Sequence, residues 1–98
     1  MTINKNLNDK TLTLKIVGRL ETTTAPALEE AIDTSLSGVE ELVMDMEQLE
    51  YVSSAGLRVI LKAQKVMNAQ GTMKVVHVNE TIMEVFDITG FVDILTIE

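Results

Sequence analysis

The sequence contains no cysteine and no tryptophan, and only one histidine, one proline, one tyrosine and two phenylalanines among its 98 residues. Without cysteine there is no disulfide, no thiolate nucleophile and no Cys-based zinc site. With a single histidine, His/His and Cys/His metal sites are excluded as well. An aromatic content of 3% beside a hydrophobic content of 46% requires an aliphatic core of Leu, Ile, Val and Met. No apolar run approaches the roughly 18 residues of a membrane span. The segment from Met1 to Lys10 is polar and has no apolar stretch of signal-peptide type. A cytoplasmic protein without membrane insertion is therefore expected. Basic side chains are the minority, 8 against 15 acidic ones, for a formal net charge of −7. Such a surface repels phosphate backbones and anionic lipid, which argues against nucleic acid and membrane as partners. The same charge also serves solubility. Neither G-x-x-x-x-G-K-[ST] nor G-x-G-x-x-G is present, so no cofactor is indicated.

The length suits one domain, and the chain reads as alternating strands and helices without repeats or linkers. Thr11 to Val17 alternates, with Leu12, Leu14 and Ile16 apolar, which predicts a half-buried strand. Asn8-Asp9 is a turn signal, so Thr2 to Leu7 is expected to form a hairpin with it. Thr24 is placed to cap a helix with Pro26 in its first turn. Leu28, Ala31, Ile32, Ser35 and Leu36 then follow helical spacing, and Gly38 is the stop signal. Glu41 to Met46 reads as a short strand buried on both sides. Ser53 or Ser54 opens the longest helix, which ends near Gly71. Met73 to Val78 is read as another strand. Asn79 caps a final helix carrying Ile82, Val85 and Phe86 and stopped by Gly90. The tail from Asp93 to Ile97 fits an edge strand or a short helix. Strands separated by helices imply parallel crossovers beside an antiparallel hairpin, hence an α/β domain with a mixed sheet of four to five strands.

Catalytic chemistry has little to stand on. His77 falls in the predicted last strand among Val75, Val76 and Val78, where a lone histidine reads as structural. No Asp/Glu constellation has a distinctive spacing. The informative stretch is Tyr51-Val52-Ser53-Ser54-Ala55-Gly56-Leu57, where small residues lead into a helix. The first turn of a helix has unpaired N–H groups and partial positive charge, so it accommodates a phosphate. A phosphoserine there adds about −1.5 to −2 charge without melting the helix. On spacing alone, an ordinary helix cap is the better reading of these serines, because serine caps are common. On the helix that follows, Arg58, Lys62 and Lys65 fall on a narrow arc opposite Val59, Ile60, Ala63 and Met67. This basic stripe suits an acidic partner or a solvated face.

These residues resemble the STAS domain, and within it the bacterial anti-sigma factor antagonists. Val17-Gly18-Arg19-Leu20-Glu21 resembles the family's strand end before the first helix. Leu42 to Met46 followed by Leu49 and Tyr51-Val52 resembles the approach to its switch. Ser53-Ser54-Ala55-Gly56-Leu57 resembles its phosphorylation motif, commonly Asp-Ser-(Ser/Ala)-Gly-Leu, and Phe86 to Phe91 resembles its last helix and turn. The similarity runs from about Thr11 to Ile97. It implies a non-enzymatic partner switch in which Ser54 is the phosphorylated residue and Ser53, standing where Asp is usual, is the second candidate. The unphosphorylated domain is then expected to bind an anti-sigma factor serine kinase of the GHKL type and to free a sigma factor. Phosphorylation releases the domain, and a PP2C-type phosphatase restores it. Glu21, Ser53, Ala55, Gly56, Leu57, Arg58 and Lys62 are the expected partner-binding residues. The resemblance also admits a constitutive adaptor, as in lipid-transport ABC systems or stress-sensing scaffolds.

Overall fold

A computed structural model describes residues 1–98. The alternating N-terminal sequence forms the expected hairpin. Strand β1 (Thr2–Asn8) pairs antiparallel with β2 (Thr11–Leu20), and Asp9 turns the chain at φ +57°. Helix α1 (Ala25–Ser35) carries Pro26 in its first turn, where a missing N–H costs nothing. It buries Ala25, Leu28, Ala31 and Ile32. The helix gives way at Leu36, and Gly38 serves the following turn rather than the cap, at φ +79°. Strand β3 (Glu41–Asp45) then returns parallel to β2.

Strand β4 (Leu49–Val52) is an element that the sequence pattern does not announce. Its buried residues are Leu49 and Val52, three apart, with Glu50 and Tyr51 exposed between them. That spacing is not the period of two that marks a strand. It pairs parallel with β2 over Gly18 to Leu20, beyond the segment that β3 occupies. The ladder slips between Gly18 and Arg19, and Gly18 takes φ +102°, a backbone shape that favours glycine. Helix α2 (Ser54–Gln70) follows directly. Gly71 closes it by donating to the Met67 carbonyl.

Strand β5 (Thr72–Val76) pairs parallel with β3 and stops before His77. Helix α3 (Glu80–Thr89) starts at the Asn79 cap, whose side-chain oxygen accepts from the Ile82 N–H at 2.9 Å. It stops at Gly90 in the left-handed region. The tail from Asp93 to Ile97 forms neither a helix nor a full edge strand: a 3-10 turn at Phe91–Asp93 leads into it, and a single parallel bridge ties Ile97 to Val75.

The sheet has five strands in the order β1-β2-β3-β5, with β4 attached to β2. Aligned rows such as Leu12, Leu42 and Met73, or Leu14, Met44 and Val75, point to one face. There they meet the buried residues of α1, α2 and α3 in one core that is aliphatic except for Phe86 of α3. The other face carries Thr13, Lys15, Val43, Asp45, Lys74 and Val76 and is half-buried. Strand β3 is thus buried on one side, not two, because the helices form a single layer. No helix is long and apolar enough to cross a membrane.

Candidate functional site

The two serines at the head of α2 are in different situations. Ser53 is the N-cap, extended at φ −95° and ψ 175°, and its Oγ accepts from the Gly56 N–H at 3.3 Å. Its own N–H donates to the Leu20 carbonyl at 2.9 Å, fastening the cap to the end of β2. Ser54 occupies the first helical position and is exposed, with the capping bond already made by its neighbour. Gly56 and Leu57 are buried. A Cβ at Gly56 would lie 2.6 Å from Leu20 Cγ and 3.0 Å from Val52 Cγ2. Their part is to seat the helix start against the ends of β2 and β4. Ala55 is half-buried beside them.

The turn between β2 and α1 borders this helix start. Glu21 accepts from Arg19 Nε at 2.7 Å, and the Arg19 guanidinium lies 4.4 Å from the centroid of the Tyr51 ring. Thr24 stands at the N-cap position of α1 but does not cap it through its side chain. Its backbone is already helical, at φ −107° and ψ −20°. Its Oγ1 accepts from the Glu21 N–H at 2.9 Å and donates to the Arg19 carbonyl at 2.8 Å. The threonine therefore staples the turn that presents Glu21. Sequence reasoning named Glu21 as a partner-binding residue, whereas Arg19 and Tyr51 entered only within their motifs and not as site residues. The lone tyrosine of the chain, two residues before Ser53, was the available signal.

The basic stripe on α2 is not continuous. Lys62 Nζ lies 3.0 Å from Glu29 and 2.9 Å from Asp33, both on α1. Hydrogen bonding to Asp33 and then Glu29 raises its pKa above the usual lysine value, against a smaller desolvation effect. Its charge is thus directed to α1, while Arg58 and Lys65 stand exposed outside the ion pairs. Between α1 and α2 lies an open cleft of about 350 Å³. Ala25, Pro26 and Val59 form its apolar wall, and Ala55 and Arg58 mark the end nearest Ser54.

His77 does not lie within a strand. It follows β5 at φ +57°, is exposed, and places Nδ1 3.0 Å from Asp45 Oδ1 on β3. Burial favours the neutral acid at Asp45. The Glu47 N–H, His77 and Lys15 together outweigh it and hold the carboxyl below its ordinary value. No group of three or more His, Cys, Asp or Glu side chains converges as a metal site would require.

The sequence pattern of the STAS domain matches residues 2–98. The chain belongs to the STAS domain family. Its STAS relatives include the anti-sigma-B factor antagonist of Bacillus subtilis, 29% identical over 100 residues, or 99% of this chain and 92% of that one. Among solved structures, an anti-sigma factor antagonist from Mycobacterium paratuberculosis superposes with a TM-score of 0.89 at 23% identity. That match covers 98% of this chain and 83% of that one. The Bacillus cell fate determinant SpoIIAA, in its phosphorylated form, superposes at 0.77 with 17% identity, covering 99% and 91% of the two chains. At these identities the structural likenesses establish the STAS fold, with its mixed sheet and three helices.

Proposed function

We propose that this STAS chain is an anti-sigma factor antagonist whose binding is switched by phosphorylation of Ser54. The observation that carries the reading is the division of labour at the head of α2: Ser53 makes the cap bond while Ser54 is exposed on the first turn. A phosphate on Ser54 leaves the cap intact, sits near unpaired N–H groups and the positive end of the helix dipole, and changes the surface rather than the fold. The family's relatives named as anti-sigma factor antagonists support the same class, a regulatory binding protein rather than an enzyme.

In this reading the unphosphorylated chain works in the cytoplasm and binds an anti-sigma factor serine kinase of the GHKL type, freeing the sigma factor. The kinase transfers phosphate from ATP to the Ser54 hydroxyl and then lets go. A PP2C-type phosphatase hydrolyses the phosphoester and restores the binding form. The surface around Ser54 supplies the contacts: the Glu21 turn, Ser53, Ala55 and Arg58, with Gly56 and Leu57 holding the helix start and Lys62 joining α2 to α1. A phosphate dianion carried into a desolvated interface with its charge not fully compensated costs several kcal/mol. About 4 kcal/mol weakens binding roughly a thousandfold.

The test is phosphopeptide mass spectrometry on the chain expressed in its native host. One phosphate on Ser54 is the expected result. A phosphate on Ser53 would keep the switch and overturn the residue assignment. No phosphate under any growth condition, with a permease or scaffold protein bound instead, would replace the switch with a constitutive adaptor.

A further inference from the structure

Ser54 and Arg58 are four residues apart on α2, hence on adjacent turns of one helix face, and both are exposed. Their Cα atoms are separated by about 6 Å along the axis. Side chains on an α-helix lean toward its N-terminus, so a guanidinium at position 58 has the reach to meet a phosphate carried on the turn of Ser54. The other two cations of this helix are differently placed. Lys62 is held by Glu29 and Asp33 on α1 at 3.0 and 2.9 Å. Lys65 is eleven residues from Ser54, about 16 Å along the axis.

We propose that Arg58 is the receptor for a phosphate on Ser54, and that its capture reverses the charge at the mouth of the α1–α2 cleft. The proposal rests on the assignment of Ser54 as the modified residue and adds the group that responds to it. A guanidinium pairs two phosphate oxygens at once, in a fork that a lysine does not reproduce. Before modification, Arg58 is the rim cation that no carboxylate neutralises, because the charge of Lys62 is met by α1. Afterwards the phosphate, at about −1.5 to −2, outweighs the guanidinium and leaves that rim net negative. One modification thus removes a cation that a partner's carboxylate could use and installs a repulsive charge in the same place. The cleft end at Ala55 and Val59 is where the change is felt.

The experiment installs phosphoserine at position 54 during synthesis, so that no cellular kinase is needed. The second ionisation of the phosphate is then followed by phosphorus NMR in the parent, R58Q, R58K and K65Q chains. The expected result is a titration midpoint that rises by about 0.4 pH unit in R58Q, the size of one helical ion pair with a dianion. R58K should recover part of the difference, K65Q should match the parent, and added salt should shrink the gap. The far-ultraviolet circular dichroism of each chain verifies that the helix is retained. Identical midpoints in the parent and R58Q would overturn the proposal. Absence of the phosphate in cells would instead overturn the Ser54 assignment and leave the titration standing as a property of the modified chain.

Discussion

At the scale of single residues, the adjacent serines should separate cleanly in stability measurements. Ser53 accepts the Gly56 N–H, so Ser53→Ala removes a helix cap and should cost about 1 kcal/mol in urea denaturation. Ser54 has no such bond to lose, and Ser54→Ala should fall within about 0.5 kcal/mol of the parent. Equal losses for the two variants would contradict this assignment of the cap. Ser53→Asp should keep the cap and its stability, because Asp caps as well as Ser and its charge suits the helix start. Gly56 gives the opposite lesson to the usual one. Gly→Ala within a helix ordinarily gains about 1 kcal/mol. Here the new Cβ would meet Leu20 Cγ at 2.6 Å, on a fully buried side chain that has nowhere to go. Gly56→Ala should therefore destabilise by about 1–3 kcal/mol, the range for overpacked cores. A raised unfolding midpoint would show that β2 yields more easily than its packing implies.

At the scale of elements, the helices and the hairpin were legible because their signals are local. Asn79 and Gly90 bound α3, the period of two marks β2, and the small residues at 53–56 announce α2. What was not legible depends on partners distant in sequence. Strand β4 exists because β2 offers it an unoccupied edge beyond β3, not because Leu49 to Val52 alternates. Thr24 turns from capping to stapling because the Glu21 N–H and the Arg19 carbonyl lie within reach of its hydroxyl. Lys62 belongs to an inter-helix ion pair rather than an open stripe because α1 brings Glu29 and Asp33 to it. Helical periodicity placed the lysine on the correct face and was silent about what that face meets. The same packing leaves a flaw in α2. Gln64 is buried, and its Oε1 has no hydrogen-bond partner, while Nε2 donates to Asn68 at 2.8 Å. A buried acceptor without a donor costs about 1–3 kcal/mol, more than one side-chain hydrogen bond returns. Gln64→Leu should therefore raise stability by about 1 kcal/mol in chemical denaturation. A loss would reveal a water or a backbone donor serving that oxygen.

At the scale of the whole molecule, charge sets how stability responds to pH. With a net charge of −7 near neutrality, lowering the pH first relieves repulsion among the carboxylates. That gain ends when groups held ionised by the fold must take up protons. Asp45 is one such group. Burial alone would raise its pKa, but the Glu47 N–H, His77 and Lys15 bring it below its ordinary value of 3.8. A carboxyl with a depressed folded-state pKa contributes stability above its unfolded value and loses it as the pH falls through the folded value. The contribution is thus complete above about pH 4 and disappears below it. Lys62 has the opposite sense. Its raised pKa stabilises the fold below its unfolded value of 10.5 and loses that effect as the pH rises further. Between these limits the curve is governed by net charge, with its maximum on the acidic side of neutrality. Asp45→Asn removes the titrating group while retaining one oxygen to accept from Glu47. Urea titrations from pH 7 to pH 2 should therefore show the variant less stable than the parent at neutral pH, with the two curves converging at the acid end. A constant offset across the whole range would mean that the loss comes from the geometry of β3 and not from the ionised carboxylate.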